Sequence, residues 1–326
     1  MSLEIVWFVL IAVLWAVFLF LEGFDFGVGI LQFFLGKNER ERGTYIASIS
    51  PHWDGNEVWL LTAGGAMFAA FPFWYATFFS ALYLPLVILL LALITRGVCF
   101  EIRHRANSDK FRFVCDVALM VSSSLASLLI GVALMNLAIG IPIDVSGNFA
   151  GTFFDLVKPL ALFGGILGLS LFLTNGALFL TLKIEGELQI RAYNLSKYSV
   201  IASTFLFAVA TALLYKYSVI CITSLVLISS AAVLVFKQHL KTAFICVALC
   251  SACSVVALFY ALFPNVLVSS IAENSLTVWN AASSAYTLRI MSIVAAVFIP
   301  IILAYQIWSY YIFRRRLSPR NVNLEV

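Results

Sequence analysis

Stretches of about 20 consecutive apolar residues, the length of a helix that crosses the hydrocarbon core of a bilayer, recur along this chain from one end to the other. In lipid a backbone N–H or C=O has no water to bond to, so a spanning segment must satisfy its amides within a helix or within a closed barrel. The stretches are too long for barrel strands and lack their period-two alternation. They predict an all-α polytopic membrane protein with nine transmembrane helices, near 5–22, 57–73, 78–99, 114–139, 159–181, 198–214, 219–236, 243–263 and 289–312. Residue usage agrees: 63% of residues are hydrophobic and 11% charged, against roughly 45–50% and 25% in soluble domains. Residues 1–326 therefore read as a single integral membrane domain. The first stretch opens with Met-Ser-Leu-Glu, without a basic n-region or a small-residue cleavage site, and reads as a retained helix.

Nine helices put the termini on opposite sides, and the basic residues test that expectation. With the N-terminus outside, the inner segments collect Lys37, Arg40 and Arg42; Arg96, Arg103, Arg105, Lys110 and Arg112; Lys183, Arg191 and Lys197; Lys237 and Lys241; and Arg314, Arg315, Arg316 and Arg320. Of 20 Lys and Arg residues, Lys158, Lys216 and Arg289 fall outside. This is the positive-inside bias, so the net charge of +4 reads as a topology signal and not as a nucleic-acid one. Trp7, Trp74, Tyr75, Trp308, Tyr310 and Tyr311 near helix ends suit aromatic belts.

No linker divides the chain. Its first four and next four stretches look like two similar blocks, opened by "FLEGFDFGVG" and "FLTNGALFLTLKIEGELQIR", with the ninth stretch added. Two four-helix bundles plus one peripheral helix is the expected architecture.

An ionisable group at bilayer depth costs roughly 2.5–3.5 kcal/mol on insertion scales and is seldom there without a use. Glu22 and Asp25 are expected to close the first helix at i, i+3; Asp54 and Glu57 open the second at the same spacing, with His52 just ahead. Both sets fall at the inner surface, where they could form one cluster suited to take up protons from water. The structural alternative is that acidic residues in a first helical turn cap amides and meet the positive dipole end. Gly23 and Gly27 form a small-xxx-small pair that predicts a close helix contact, and Gly64 and Gly65 read the same way. Cys246, Cys250 and Cys253 share one helix face and read as packing.

Haem or metal finds little support. The three histidines, His52, His104 and His239, lie at helix ends or in loops, and Met67, Met120, Met135 and Met291 read as gap-fillers in apolar helices. Nucleotide loops and nucleophile triads are absent. A proton-coupled carrier would place polar residues and broken helices at the midplane, but stretches such as "LPLVILLLALI" are wholly apolar. A purely structural partner of a larger complex also fits the composition.

Taken together, "FLEGFDFGVGIL", "SPHWDGNEVWLLTAGGAMFAAFP", "FFDLVKPLALFGG", "GELQIR" and "SLTVWNAASSAYTL" resemble subunit II of the cytochrome bd family of quinol oxidases nearly end to end. The resemblance implies a nine-helix subunit in the bacterial inner membrane, paired with a haem-carrying subunit I and in some complexes with a small third subunit. It implies that haem b and haem d (or b) belong to subunit I, with no cofactor bound by this chain alone. The complex would oxidise quinol, reduce O2 to water and take its protons from the cytoplasm. Asp25 and Asp54 match the family's acidic positions linked to the proton path, with Glu22, Glu57 and His52 beside them; Trp53, Asn56 and Trp59 match their motif neighbours. Asn280 stands where some members have Asp, so no acidic role falls there, and the short "YKYS" connection lacks the long polar insertion of some relatives.

Overall fold

The computed structural model describes residues 2–214 and 218–318; Lys216 in the "YKYS" connection and Arg320 lie outside the described residues. The chain forms α1 (Leu3–Leu35), α2 (Glu39–Ile49), α3 (Trp53–Ala70), α4 (Pro72–Ala81), α5 (Tyr83–His104), α6 (Asp109–Ile139), α7 (Phe153–Leu156), α8 (Pro159–Lys183), α9 (Glu187–Leu213), α10 (Ser218–Phe236), α11 (Leu240–Leu262) and α12 (Ala285–Ile312). A short antiparallel pair, β1 (Asn265–Leu267) and β2 (Leu276–Thr277), precedes α12. Among the described residues seven helices are long and apolar enough to span a bilayer: α1, α5, α6, α8, α9, α11 and α12. A shorter apolar helix, Ile222–Phe236, lies within α10.

Two boundaries differ from the expectation for one physical reason. Glu22 and Asp25 do not close the first helix; α1 continues to Leu35 for 33 residues, about 50 Å at 1.5 Å per residue. Likewise Arg96 and Arg103 do not lie in an inner loop but within α5, which runs to His104. In both cases the charged side chains are paired inside the protein, so the helix passes through them. At 71–72 the reverse holds. Phe71 leaves helical geometry, Pro72 restarts the chain as α4, and the expected stretches at 57–73 and 78–99 are divided among α3, α4 and α5.

Connections gather at two opposite ends. At one, the Glu185 amide donates to the Leu317 carbonyl (3.1 Å) and the Leu317 amide to that of Lys183 (2.8 Å), while Arg191 bonds the Leu35 carbonyl at the end of α1. At the other, the Ile141 amide donates to Val268 (3.1 Å), Ser283 to Ala70 (2.9 Å) and the Asn274 amide group to Ile143 (2.8 Å).

α1 packs against α3, α6, α8 and α11. Without a hydrophobic force between helices in lipid, close backbone approach carries the packing. Gly27 supplies it: a Cβ there would lie 2.9 Å from Gly176 Cα and overlap the Phe172 carbonyl of α8. Gly131 and Gly165 give α6 and α8 a second crossing of this kind. Gly64 and Gly65 do not behave this way. A Cβ on Gly65 would meet nothing within 4 Å, and one on Gly64 only the Phe79 ring at 3.6 Å; this face of α3 opens onto an apolar groove. α12 is the least embedded of the spanning helices, with none of its apolar window buried. It is tied on by polar contacts: the Trp7 indole to the Leu288 carbonyl (3.1 Å) and Ser292 hydroxyl (3.0 Å), Lys183 to the Phe313 carbonyl just beyond its end, and two side chains described below.

Candidate functional site

One carboxylate of α1 and one of α3 meet around a single cation from α5. Arg96 Nη1 lies 2.7 Å from Glu22 Oε1 and 3.4 Å from Glu57 Oε2. Glu22, Asp25 and Arg96 are completely buried, while the Glu57 side chain keeps 18% exposure. The guanidinium stacks over the Phe26 ring, 4.2 Å from its centroid. That stack uses the weak hydration and planar face that distinguish Arg from Lys. Helical spacing accounts for the cluster. Glu22, Asp25 and Phe26 project from successive turns on one side of α1, and Glu57 sits one turn inside α3.

Asp25 is held by a second set of groups. Its Oδ2 accepts a 2.6 Å hydrogen bond from the Asn56 amide nitrogen, which also points at the Leu21 carbonyl, 3.3 Å away. A carbonyl can only accept, so the Leu21 oxygen settles which end of the Asn56 amide is nitrogen. The amide oxygen then accepts from Gln306 Nε2 and from the Tyr310 hydroxyl, both at 2.9 Å. Asn56 thereby joins α1, α3 and α12, and every capacity it has toward Asp25 is that of a donor.

His52 stacks on the Tyr310 ring (centroids 4.5 Å apart) and lies edge-on to Phe24, Phe179 and Phe313. Burial, then the Lys183 ammonium, pushes it down to about 4, so it is neutral at physiological pH. Among the described residues no side chain bonds its Nδ1. Tyr310 and Asn56 stand between this ring and Asp25. Trp53 stacks on Phe100 at 5.0 Å and against Gly97, anchoring the start of α3 to α5, and Trp59 is buried in the apolar core. Gly23 faces Phe172 and Asn175 of α8.

Asp54 is not part of the buried cluster: it is exposed in the first turn of α3, one turn before Glu57. No side-chain cap closes the start of that helix, and Glu57 is turned to Arg96. Asp54 keeps the first-turn position that the positive end of the helix dipole favours, whereas Glu57 is engaged by Arg96.

Sequence reasoning missed Arg96, Gln306 and Tyr310 as site residues. It also missed a second ionic cluster at the Lys183 end, where fully buried Asp116 of α6 binds Arg42 (2.7 Å) and Arg103 (2.6 Å), with Glu39 at 3.4 Å from Arg103. Nearby Glu41 pairs with Arg191 at 2.8 Å, and that pairing holds its carboxyl below the usual range. A signal for Arg96 existed: Arg96 and Arg103 are seven residues apart, two turns of one helix face, in a run otherwise apolar up to Cys99.

His52 is enclosed by aromatic rings, His104 ends α5, His239 precedes α11, and the Met67 sulfur already accepts the Trp15 indole N–H (3.4 Å). Among the described residues no three His, Cys, Asp or Glu side chains gather as a metal site.

Residues 3–313 match the family described as cytochrome bd terminal oxidase subunit II. The chain is 42% identical over 333 residues to cytochrome bd ubiquinol oxidase subunit 2 of Bacillus subtilis, covering 98% of each. It is 33% identical to cytochrome bd-I ubiquinol oxidase subunit 2 of Escherichia coli K12, over 98% of this chain and 96% of the relative. A solved structure of bd oxidase from Geobacillus thermodenitrificans shares the fold, with a TM-score of 0.77 at 17% identity over 96% of this chain and 99% of that one. A match across almost the whole chain, with apolar helices and a paired acidic cluster inside them, places this integral membrane protein in the cytochrome bd terminal oxidase subunit II family.

Proposed function

We propose that this chain is the haem-free subunit II of a bd-type quinol:O2 oxidoreductase of the bacterial inner membrane, and that it supplies a proton-uptake path from the cytoplasm. Its partner is a haem-carrying subunit I holding haem b and haem d (or b), with a small third subunit and membrane lipids around them; quinol is the electron donor. The observation that carries the reading is the grading of burial along three elements. Exposed Asp54 precedes half-buried Glu57 by one turn, Glu57 shares one Arg96 nitrogen with fully buried Glu22, and Glu22 lies one turn from fully buried Asp25. Each carboxyl can take and release a proton, and the Arg96 charge offsets the cost of carrying negative charge this deep. His52, behind Tyr310, lines the path's wall.

Asp54 offers the direct test. Asp54→Asn keeps the size and removes the titration, so assembly and the haem spectrum of the complex survive while O2 uptake per haem falls by about tenfold or more. Asp54→Glu retains more turnover than Asn. Near-wild-type uptake in a fully assembled Asp54→Asn complex would leave this subunit a purely structural partner.

Orientation follows from the basic residues. Lys37, Arg42, Arg105 and Lys183 lie at the end of the molecule shared by the α1–α2, α5–α6 and α8–α9 connections, which the positive-inside bias assigns to the cytoplasm. The N-terminus is then outside and the C-terminus inside, with α3 and α10 counted among nine crossings. Single cysteines replacing Asn38 and Asn107 should react with a membrane-impermeant thiol reagent only from the cytoplasmic side, and one replacing Asn148 only from outside. Labelling of Asn38 and Asn148 positions from the same side would overturn the arrangement.

A further inference from the structure

We propose that Tyr310 and Gln306 of α12 are positioning residues for Asp25: by fixing the Asn56 amide they commit Asp25 Oδ2 to an N–H donor and leave Oδ1 to share a single proton with Glu22. The inference deepens the proton-uptake reading and rests on it for its place in turnover. Its physical basis is the hydrogen-bond inventory of the two carboxyl groups. Each spends one oxygen on a nitrogen donor, Glu22 Oε1 on Arg96 and Asp25 Oδ2 on Asn56. Glu22 Oε2 and Asp25 Oδ1 are buried, and among the described residues no donor reaches them. The two groups are fully buried one helical turn apart on the same face of α1.

Two neighbouring buried carboxylates without a proton repel. One proton placed between them converts repulsion into a short charge-assisted hydrogen bond. The surrounding charge favours that count. Glu22 and Asp25 come from α1, Glu57 from α3 and Arg96 from α5, while Asp54 is exposed at the head of α3; on the other side, His52 and Lys183 lie beyond Tyr310. Three carboxylates against one guanidinium leave two negative charges if none is protonated, and one if the pair holds a proton.

Asn56 also decides where that proton goes. An amide nitrogen cannot accept a proton at neutral pH, so Asp25 Oδ2 exchanges nothing with Tyr310 or His52 across it. The pair is loaded and unloaded through Oδ1 and Glu22, from the Glu57 side. Tyr310 and Gln306 act by holding the Asn56 oxygen, and α12 thereby keeps the Asn56 N–H aimed at Asp25.

The experiment uses the purified complex with all its subunits and two readouts. Redox-induced infrared difference spectra in H2O and D2O report the carbonyl stretch of a protonated carboxylic acid; O2 uptake across pH reports turnover. Wild type shows the band with its deuterium shift, and Asp25→Asn and Glu22→Gln each abolish it. Tyr310→Phe keeps the ring stacked on His52 but frees the Asn56 oxygen. It weakens the N–H donation to Asp25, shifts the band and moves the alkaline limb of the pH profile upward by about one unit, a tenfold change in proton affinity. Gln306→Met reads the same contact if Tyr310→Phe lowers assembly. Absence of a protonated-carboxyl band in wild type, its survival in both carboxyl variants, or an unmoved band and profile in assembled Tyr310→Phe and Gln306→Met complexes overturns the proposal. A band that behaves as stated while Asp25→Asn turns over normally leaves the shared proton standing and removes the uptake path instead.

Discussion

Arg96→Leu is expected to strip most of the assembled oxidase from the membrane. The substitution leaves Glu22, which has no exposure, and Glu57 without the cation that both use. Breaking a buried ion pair by removing one partner costs about 3–5 kcal/mol, a large share of the roughly 5–15 kcal/mol that holds a typical protein together. The stack on Phe26 is lost as well. Haem content per milligram of membrane, beside an immunoblot of this chain, measures the effect. Arg96→Lys should fall between the two, because it restores the charge but not the planar stacking face. Adding Glu22→Leu to Arg96→Leu should recover assembly without recovering turnover, since replacing both members of a buried pair is far milder than orphaning one. Normal haem content in the single Arg96→Leu variant would mean that the pair contributes little to folding in lipid.

Gly27→Leu is expected to be as damaging for a steric reason. Overpacking a core that can shift costs about 1–3 kcal/mol, but here the obstacle is backbone: the Phe172 carbonyl and Gly176 Cα of α8 occupy the space the new side chain needs. The helices must separate, and the α1–α8 contact is lost along the turns that carry Glu22 and Asp25. Gly176→Leu should do the same from the opposite side. Gly168→Ala is the matched control, since a Cβ there meets Gly131 Cα at an ordinary 3.4 Å. Thermal inactivation of O2 uptake and yield of the complex separate the three. A stable Gly27→Leu complex would show that this crossing is not close in the assembled enzyme.

The helical, membrane-spanning character was legible because about 20 apolar residues in a row admit few other structures. Helix ends were less legible wherever charge appeared. Glu22 and Arg96 each look like the edge of a lipid-facing segment until they are seen to neutralise one another across 74 positions of sequence. Spacing put Asp54 and Glu57 on neighbouring turns, yet it carried no information about which of them faces the interior. Gly27 was identifiable from its pattern, whereas the same reasoning failed at Gly65 because a small residue permits close approach without requiring it. Gln306 and Tyr310 were invisible as site residues. Their partner Asn56 is 250 and 254 positions away, and one amide or phenol in an apolar run has many ordinary explanations.

The exposed seat of α12 has a consequence for how the site responds to its solvent. Acyl chains wet the apolar surface of this helix equally well whether it is docked or displaced, so burial of oil from water contributes almost nothing to keeping it in place. Among the described residues it is held by the backbone bonds of Ser283 and Leu317 at its two ends and by side-chain hydrogen bonds at Trp7, Asn56 and Lys183, the latter each worth on the order of 1 kcal/mol in a bilayer. A mismatch between helix length and membrane thickness costs fractions of a kcal/mol per ångström, which is the same scale. If α12 positions Asp25 as proposed, the composition of the bilayer becomes an input to the protonation chemistry of Asp25, delivered through the Asn56 amide.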